Sequence, residues 1–421
     1  MSASLSASPS ATDHWALKVV VSVIVYCLAA SAVPIYNKEV FKGPSGHVGV
    51  EKYPYPIATA FVQLAAVCVA LSLVSVLGHF TKCGRSRDSW LFGPHFFYKV
   101  QHVAPVGLIF GLKYGITNWG LQLMPTGTHV LLQSTDLIWT VLLARVINKE
   151  KLGCLEYFAA GLSTLGSVML GLHAGNTLEA PALALAVNFM TPLVLATCIT
   201  TLRAGAKELF DPNNILNGSM TPVEFTAVKT FLSASVALLL ACALENGHSL
   251  TSRGKDTAWW TALAEQPPEG IVFLLLGGAF VLIFQVNITW LSGLTSAVTV
   301  GIVGGLKVVP QWLLNAMFNL KVDLAPLNLA GAALVLIASM LYALSISLPN
   351  ELTLEGGRFQ WVPKKCPPEG SQDSLGSLKS LSPWLLKQDA VAAESGTPGP
   401  PRCGRVLMSL AGRFCKLRFA S

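Results

Sequence analysis

Lys307 is the residue whose position is hardest to explain without a function. It stands in the middle of an apolar, otherwise uncharged stretch, Thr295–Phe318, that is long enough to cross a bilayer. At about 1.5 Å per helical residue, roughly 18 Å of helix lies on either side of its ammonium group. A lysine at the centre of a bilayer costs about 3 kcal/mol, so it must face a partner, a ligand or water inside a bundle. We therefore take Lys307 as the first candidate for binding an anionic group.

Asp136 is the one deep acidic residue, and an internal repeat pairs it with Lys307. A shift of 171 residues superposes the apolar segment around Asp136 on that around Lys307, and Asn148 then meets Asn319. Two halves with an odd number of spans are inverted, and transporters built this way bind substrate at the repeat interface near the midplane. Two interpretations remain for Lys307, an anion site or a structural ion pair with Asp136. Both hold if the substrate competes with Asp136 for the lysine.

Three further polar side chains lie within apolar segments: Lys113, Lys229 and His129. For each lysine, substrate binding competes with a role in helix packing or cavity lining. His129 lies near the start of its segment and is either a substrate ligand or a polar group satisfied by its neighbours. The three lysines outnumber the one acid, and an interior with excess positive charge favours anions.

The composition predicts a polytopic membrane protein. The chain has 421 residues, of which 52% are hydrophobic and only 12% are charged, whereas soluble domains carry about 25% charged residues. The net charge of +7 lies mostly in the C-terminal tail and in short loops of one side, as the positive-inside rule places it. The expected partners are therefore the lipid bilayer and a small anionic solute, with no nucleic acid. The nine cysteines show no metal-ligand spacing, and we expect neither a metal nor a cofactor.

The predicted fold class is an all-α membrane protein with about ten transmembrane helices arranged as two inverted five-helix repeats. Each segment has about the length and apolar character that a bilayer requires. The predicted spans are Ala16–Tyr36, Ile57–Phe80, Ala104–Leu123, Gly127–Ile147, Cys154–His173, Pro181–Leu202, Pro222–Leu244, Gly270–Trp290, Thr295–Phe318 and Leu324–Leu348.

Three regions follow from these spans. Residues 1–15 form a short cytosolic N-terminus, residues 16–348 the ten-span domain, and residues 349–421 a cytosolic, basic tail. Basic residues in the short loops on the N-terminal side favour an even number of spans with both termini cytosolic. The tail over Asn350–Pro401 is rich in Ser, Pro, Gly and charge and reads as disordered. Its end, residues 402–421, is either an interfacial amphipathic helix or a continuation of the disordered tail.

The chain carries no motif that predicts catalysis. A G-x-S-x-G turn, an H-E-x-x-H helix and a P-loop are all absent from the sequence. No catalytic residues are assigned, and we expect a protein that is not an enzyme.

Several motifs together resemble the sugar-phosphate/nucleotide-sugar transporter family, which includes the triose-phosphate translocators and belongs to the drug/metabolite transporter superfamily. Tyr36–Phe41 is similar to the family's Asn-Lys motif, and Tyr53–Pro56 to its downstream Phe-Pro-Tyr-Pro. Asn118 fits the Asn of the third span. Thr128–Asp136 is similar to the Thr-His-containing fourth span, and Gly305–Val308 to the ninth. The resemblance extends over about four-fifths of the chain.

The departures from the family pattern narrow the substrate class. Gln133 stands where the family has a lysine, Asp136-Leu137 replaces Glu-Pro, and Val308 replaces the arginine that triose-phosphate translocators place after their lysine. Losing that arginine removes a bidentate phosphate contact that lysine cannot reproduce. The resemblance therefore favours a Golgi or endoplasmic-reticulum carrier, whose relatives exchange nucleotide sugars for nucleotide monophosphates, over a plastid phosphate translocator.

The resemblance implies an antiporter of anionic sugar conjugates, nucleotide sugars or sugar phosphates, that works by alternating access. Lys307 would hold phosphate, Lys38 would assist at the lumenal mouth, and Asp136 would be the switchable counter-ion. The remaining expected substrate-binding residues are Lys113, Lys229, His129 and Asn118.

Two alternatives stay open at this point. One is a proton-coupled metabolite permease of the same superfamily, in which Asp136 carries the proton. The other is a non-transporting membrane scaffold that acts through its tail. The sequence also leaves open whether the protein forms a homodimer.

Overall fold

The computed structural model describes most of the predicted membrane domain and a short segment after it. The described residues are 11–42, 53–80, 93, 95–123, 129, 133, 135–150, 152–172, 182–246, 257–307, 309–310, 313, 326–347, 350–355 and 358–363. The predicted interfacial segment 402–421 lies outside them, as do residues 1–10 and most of the tail.

Eleven helices are present in this part of the chain, and each of the ten predicted spans contains one of them. They are α1 Ala11–Lys42, α2 Pro56–Phe80, α3 Phe96–Leu123, α4 Asp136–Ile147, α5 Cys154–Leu172, α6 Ala182–Leu209, α7 Pro222–Leu244, α8 Trp259–Ala264, α9 Pro268–Leu294, α10 Ala297–Leu306 and α11 Pro326–Ser347. The short α8 was not predicted. The helix α1 runs six residues past the predicted end, so that Lys38 lies within it.

Five of the described helices are long and apolar enough to cross a membrane. They contain Leu17–Phe41, Pro56–Leu77, Ala182–Leu209, Pro222–Leu244 and Pro268–Leu294. Two shorter apolar helices cover Ala297–Leu306 and Leu329–Ser345. The large apolar side chains that these helices expose, such as Leu73, Leu239 and Met340, suit a lipid-facing surface. The multi-pass membrane protein expected from composition is confirmed.

The packing between helices has the symmetry of two repeats. The first half comprises α1–α5, and the second comprises α6, α7, α9, α10 and α11. The pairs α2–α7, α4–α10 and α5–α11 pack each helix against its own counterpart. Other large interfaces form pairs that the repeat relates. If each helix is replaced by its counterpart in the other half, the α3–α6 interface becomes the α1–α9 interface, and α3–α7 becomes α2–α9. This pattern is what an in-plane pseudo-twofold axis produces.

Glycines allow the closest of these approaches. A Cβ atom on Gly166 of α5 would lie 2.7 Å from the carbonyl oxygen of Gly331 in α11. On α3, a Cβ atom on Gly111 would lie 2.6 Å from the carbonyl oxygen of Ser233 in α7. Small residues at such crossings let helix backbones pack closely in a membrane, where the lipid supplies little hydrophobic drive for association.

Equivalent contacts join helices at the two ends of the bundle. At one end, here called the Lys38 end, the Lys38 ammonium donates to the carbonyl of Leu121 in the last turn of α3. At the opposite end, the Arg203 end, the guanidinium of Arg203 donates to the carbonyl of Ser292 near the end of α9, at 2.8 Å. A cation suits the unpaired carbonyls and the negative dipole of a helix C-terminus. The two acceptors are 171 residues apart, which is the offset of the repeat.

The start of the tail corrects one expectation. Asn350–Glu355 and Arg358–Pro363 form two antiparallel strands in which Leu352 pairs with Trp361. The first of these strands packs against α5. We had expected disorder from the charge and Pro content of the whole tail. Apolar residues alternate with polar ones over these two short runs, and Gly356-Gly357 between them is typical of a two-residue hairpin loop.

Glu245 joins three elements at the Lys38 end. It lies directly after α7, is fully buried, and its carboxylate accepts hydrogen bonds from the backbone N–H groups of Ile57 (3.0 Å) and Ala58 (2.8 Å) at the start of α2. Its own carbonyl accepts from the N–H of Trp259, the first residue of α8. Burial raises the pKa of Glu245 from 4.5 to about 7, although the two N–H groups oppose the shift.

We expect this carboxyl group to make stability depend on pH. Between about pH 4.5 and 7 the folded protein keeps a proton on Glu245 that the unfolded chain has lost, so the free energy of unfolding falls as the pH rises. The full shift corresponds to a loss on the order of 3 kcal/mol. Neighbouring Tyr53 stays protonated in this range, because burial and the Glu245 charge raise its pKa. Thermal unfolding at pH 5 and pH 8 should show a steeper decline in the wild type than in Glu245→Gln. Equal declines would contradict the assignment.

Candidate functional site

A buried ion pair lies at the interface of the two halves. The Nζ atom of Lys307, directly after α10, is 3.7 Å from the Oδ2 atom of Asp136, the first residue of α4. The side chains are 9% and 2% exposed. The carbonyl of Lys307 accepts a hydrogen bond from the hydroxyl of Ser31 in α1, at 3.0 Å. The structure thus brings together the two residues that the repeat paired.

Local sequence features bring α10 against α4. The Ser296 hydroxyl caps the start of α10 by accepting from the backbone N–H of Thr299. One turn later, Gly301 lets the two helices approach, because a Cβ atom there would lie 2.9 Å from the methyl group of Thr140. Thr140 lies one turn after Asp136 on α4. The glycine therefore sets the approach across which Lys307 and Asp136 meet.

Lys113 on α3 is a second buried cation beside this pair. Its ammonium lies 4.2 Å from the ring centroid of Tyr114 and 5.7 Å from that of Phe284. It interacts electrostatically with both Lys307 and Asp136. Within the described residues, aromatic faces are its neighbours and no hydrogen-bond acceptor is in reach. Its donors therefore remain available for a ligand.

Lys229 on α7 has protein partners instead. Its ammonium donates to the hydroxyl of Thr289 at 2.7 Å and to the carbonyl of Gln285 at 3.4 Å, both on α9. It also lies 4.7 Å from the ring centroid of Phe110. These contacts link α3, α7 and α9. In this conformation Lys229 contributes charge to the interior and holds helices together, which is the packing role that the sequence left open.

His129 and Asn188 connect the centre to the Lys38 end. The imidazole Nδ1 of His129 is 2.5 Å from the side-chain oxygen of Asn188 on α6. The Asn188 amide donates to the carbonyl of Gly120 on α3. Fully buried, His129 interacts electrostatically with Lys38, Lys113 and Lys307. Its second ring nitrogen has no partner among the described residues.

Asn118 belongs to an amide cluster near the Lys38 end. Its side-chain oxygen accepts from Asn37 at 3.2 Å, and its amide donates to the carbonyl of Pro56 at 3.1 Å. The amide of Gln63 completes the chain by donating to Asn37 at 2.9 Å. Asn118 thus positions α1, α2 and α3 beside Lys38, and its predicted contact with substrate stays a prediction.

Sequence reasoning missed the aromatic and amide groups that surround the lysines. Tyr26 of α1 packs on Phe284 of α9, with ring centroids 5.5 Å apart. Gln285 is fully buried, yet both polar atoms of its side chain lack a partner among the described residues, as does the hydroxyl of Tyr114. The available signal was the pair Gln285 and Asn287 in an otherwise apolar span, since buried amides need hydrogen bonds.

The charge balance defines what this centre can bind. At the centre of the described bundle, Lys307 and Lys113 lie near the carboxylate of Asp136, and Lys229 is a third buried ammonium group that interacts electrostatically with Lys113. Unpaired positive charge in a water-poor bundle is costly. An anionic solute would reduce that cost, with aromatic faces alongside it.

Comparison with known proteins supports a transport function. Residues 18–203 match the family model described as "Purine nucleobase transmembrane transport". The chain is 24% identical to solute carrier family 35 member E4 of Rattus norvegicus over 340 residues, 80% of this chain and 83% of that protein. These similarities point to a membrane transporter of the drug/metabolite type. The transporter is also 37% identical over 71 residues to probable purine permease 4 of Arabidopsis thaliana, where the match covers 17% of the chain and only 19% of the permease.

A solved structure shares the fold. It superposes with a TM-score of 0.50 at 14% identity, and the match covers 79% of this chain and 98% of the other. The expected drug/metabolite transporter type is supported by the sequence comparisons, and the solved structure shows the fold alone. The sugar-phosphate and nucleotide-sugar branch remains a prediction, and the purine similarity introduces a second substrate class.

We expect Lys307 and Asp136 to be energetically coupled. Asp136→Asn or Lys307→Met leaves one buried charge without its partner, and each should lower the free energy of unfolding by about 3–5 kcal/mol. The double variant should lose less than the sum, with a coupling of about 1–3 kcal/mol. Thermal unfolding of the four ligand-free proteins in detergent measures this. Additive losses would show that the two residues do not act as a pair.

Proposed function

We propose that the protein is a secondary transporter of small organic anions that carry a phosphate group. The observation that carries the proposal is the buried pair of Lys307 and Asp136 at the interface of the inverted halves, with Lys113 interacting with both residues and Lys229 with Lys113. Lys307 binds the phosphate and Asp136 is its counter-ion when the site is empty. Lys113, which has aromatic neighbours and no hydrogen-bond acceptor among the described residues, is the second anchor.

The competition between substrate and Asp136 supplies a reason for conformational change. A ligand shifts a conformational equilibrium only by the difference in its affinity for the two states. A phosphate bound at Lys307 would weaken the ion pair between Lys307, at the end of α10, and Asp136 on α4, because the ammonium group would then be shared between the two anions. The contacts at the Lys38 and Arg203 ends then open in turn, which is alternating access by one half moving against the other.

The substrates are nucleotide sugars, nucleotide monophosphates or sugar phosphates, exchanged across a Golgi or endoplasmic-reticulum membrane. The motifs around Lys38, His129 and Lys307 support the sugar-conjugate class. The similarity of residues 18–203 to purine transport supports a nucleobase in the ligand. A substrate that contains a nucleotide would account for both the sugar-conjugate motifs and the similarity to purine transport. The Lys38 end would face the lumen and the Arg203 end the cytosol, as the distribution of basic loops predicts.

We expect Lys307→Ala to abolish uptake of these anions into proteoliposomes. The variant loses the phosphate contact, and its stability falls because Asp136 loses its partner. Uptake of radiolabelled nucleotide sugar, nucleotide monophosphate and sugar phosphate by folded protein, checked by gel filtration, is the measurement. Lys207→Ala is the matched control, because Lys207 is exposed on α6. Wild-type uptake by the Lys307 variant would refute the site.

A proton-coupled permease is the second candidate function. It is favoured by the Oδ2 atom of Asp136, which lies 3.7 Å from the Lys307 ammonium and makes no closer hydrogen bond among the described residues. It is also favoured by the match to purine nucleobase transport. In that case a neutral base would be carried, and Asp136 would alternate between a proton and Lys307.

Exchange and proton coupling predict different fluxes. For exchange, we expect uptake only into vesicles preloaded with counter-substrate, and no uptake driven by an imposed pH gradient alone. Flux that follows the pH gradient without preloading, and that Asp136→Asn abolishes, would instead establish the permease. The scaffold alternative is tested in the same assay, since full exchange after deletion of residues 350–421 would exclude an essential role of the tail in transport.

A further inference from the structure

Gln285 on α9 is an unusual buried amide. Its side chain is fully buried, and neither its oxygen nor its nitrogen has a hydrogen-bond partner among the described residues. Asn287, two residues along the same helix, shows the ordinary case. It accepts from the hydroxyl of Ser22 at 2.9 Å and donates to the Ser22 carbonyl at 2.7 Å.

The missing partners of Gln285 are costly. A buried amide without hydrogen bonds loses its hydration without compensation. Tyr114 on α3 lies beside Gln285 and the two side chains interact, but the Tyr114 hydroxyl makes no close hydrogen bond among the described residues. Nor does the hydroxyl of Thr117, one turn further along α3. Gln285 and Tyr114 therefore bring three buried polar atoms together between α9 and α3, and none of the three makes a close hydrogen bond among the described residues.

The surroundings of these atoms select a class of ligand. A carboxamide presents a donor and an acceptor side by side, and it pairs with the edge of a nucleobase in a bidentate manner. The rings of Tyr26, Tyr114 and Phe284 offer apolar faces on which a planar base stacks. The Lys113 ammonium lies 4.2 Å from the Tyr114 ring centroid and interacts electrostatically with Lys307. We therefore expect a base on the Gln285 side to have its phosphate directed towards these two ammonium groups.

We propose that Gln285 and Tyr114 form a base-recognition subsite that confers a preference for nucleotide ligands over sugar phosphates. The proposal rests on the phosphate site of the proposed function. It adds the residues that would bind the base, the part of the substrate that the lysines do not contact. The Gln285 carboxamide takes a donor–acceptor edge of the base, and the Tyr114 hydroxyl takes a further polar atom. Because these groups make no close hydrogen bonds to other described residues, a ligand would gain hydrogen bonds and disturb at most the contact between Gln285 and Tyr114.

Three phosphate ligands test the subsite on the purified full-length protein. Dissociation constants for AMP, UMP and ribose 5-phosphate are measured by titration calorimetry in detergent. We expect wild type to bind AMP or UMP at least tenfold more tightly than ribose 5-phosphate. Gln285→Leu, which removes the amide at similar size, should abolish that preference and leave the affinity for ribose 5-phosphate unchanged. It should lower the melting temperature less than Asn287→Leu does, because the Gln285 amide makes no close hydrogen bond among the described residues.

Controls separate this proposal from the phosphate site and from misfolding. Asn287→Leu should lower the melting temperature and keep the preference for a base. Tyr114→Phe removes only a hydroxyl and should reduce the preference for AMP or UMP over ribose 5-phosphate severalfold. It replaces Gln285→Leu as the test variant if Gln285→Leu does not fold. No preference in wild type, or an unchanged preference in Gln285→Leu or Tyr114→Phe, overturns the subsite. Equal binding of all three ligands by Lys307→Ala and wild type, or no binding by wild type, refutes the proposed function itself.

Discussion

The cost of holding charge in a low-dielectric bundle dominates the organisation of this protein. Lys307 cannot reach water from the middle of its span, so the fold must bring a compensating group to it. Asp136 meets that need at 3.7 Å, a distance that permits electrostatic attraction without a close hydrogen bond. A pair held this loosely neutralises the charge while leaving donors on the ammonium for another anion. The same constraint explains why Lys113 and Lys229 lie against aromatic rings.

The inverted repeat is what makes this compensation geometrically available. Equivalent positions on α4 and α10 meet at the interface of the halves, so opposite charges at those positions face each other. Gly301 brings the two helices close enough for the pair to form. Around it, the lysines divide into two kinds. Lys229 is held by Thr289 and the α9 backbone, whereas Lys113 keeps its donors among aromatic faces. Lys229 thus has a structural role, whereas Lys113 is the lysine that would be available to a ligand in the proposed function.

Much of the architecture follows from the sequence, because the bilayer imposes a simple length and polarity rule. All ten apolar segments contain helices, and the 171-residue offset anticipated the meeting of Asp136 and Lys307. The partners of Lys229 and His129 were not predictable, since Thr289 and Asn188 come from helices whose rotation depends on packing. Gln285 escaped notice for a related reason. From the sequence alone, an amide in an apolar span is assigned to helix packing, because its hydrogen-bond partners are known only from the structure. The hairpin after Asn350 was missed because its short alternation lies inside a polar tail.

The matching contacts of Lys38 and Arg203 bear on the speed of the transport cycle. Each end of the bundle is fastened by one cation on the last carbonyls of a helix, at positions related by the repeat. Bonds of the same type release similar free energy on closing, so the two closed arrangements lie near each other on the energy landscape. Neither closed arrangement would then be so much more stable than the other that leaving it limits the rate. In the proposed alternating-access cycle, matched contacts at both ends would let either closed arrangement form at similar cost, and the direction of net flow would then follow the gradients across the membrane.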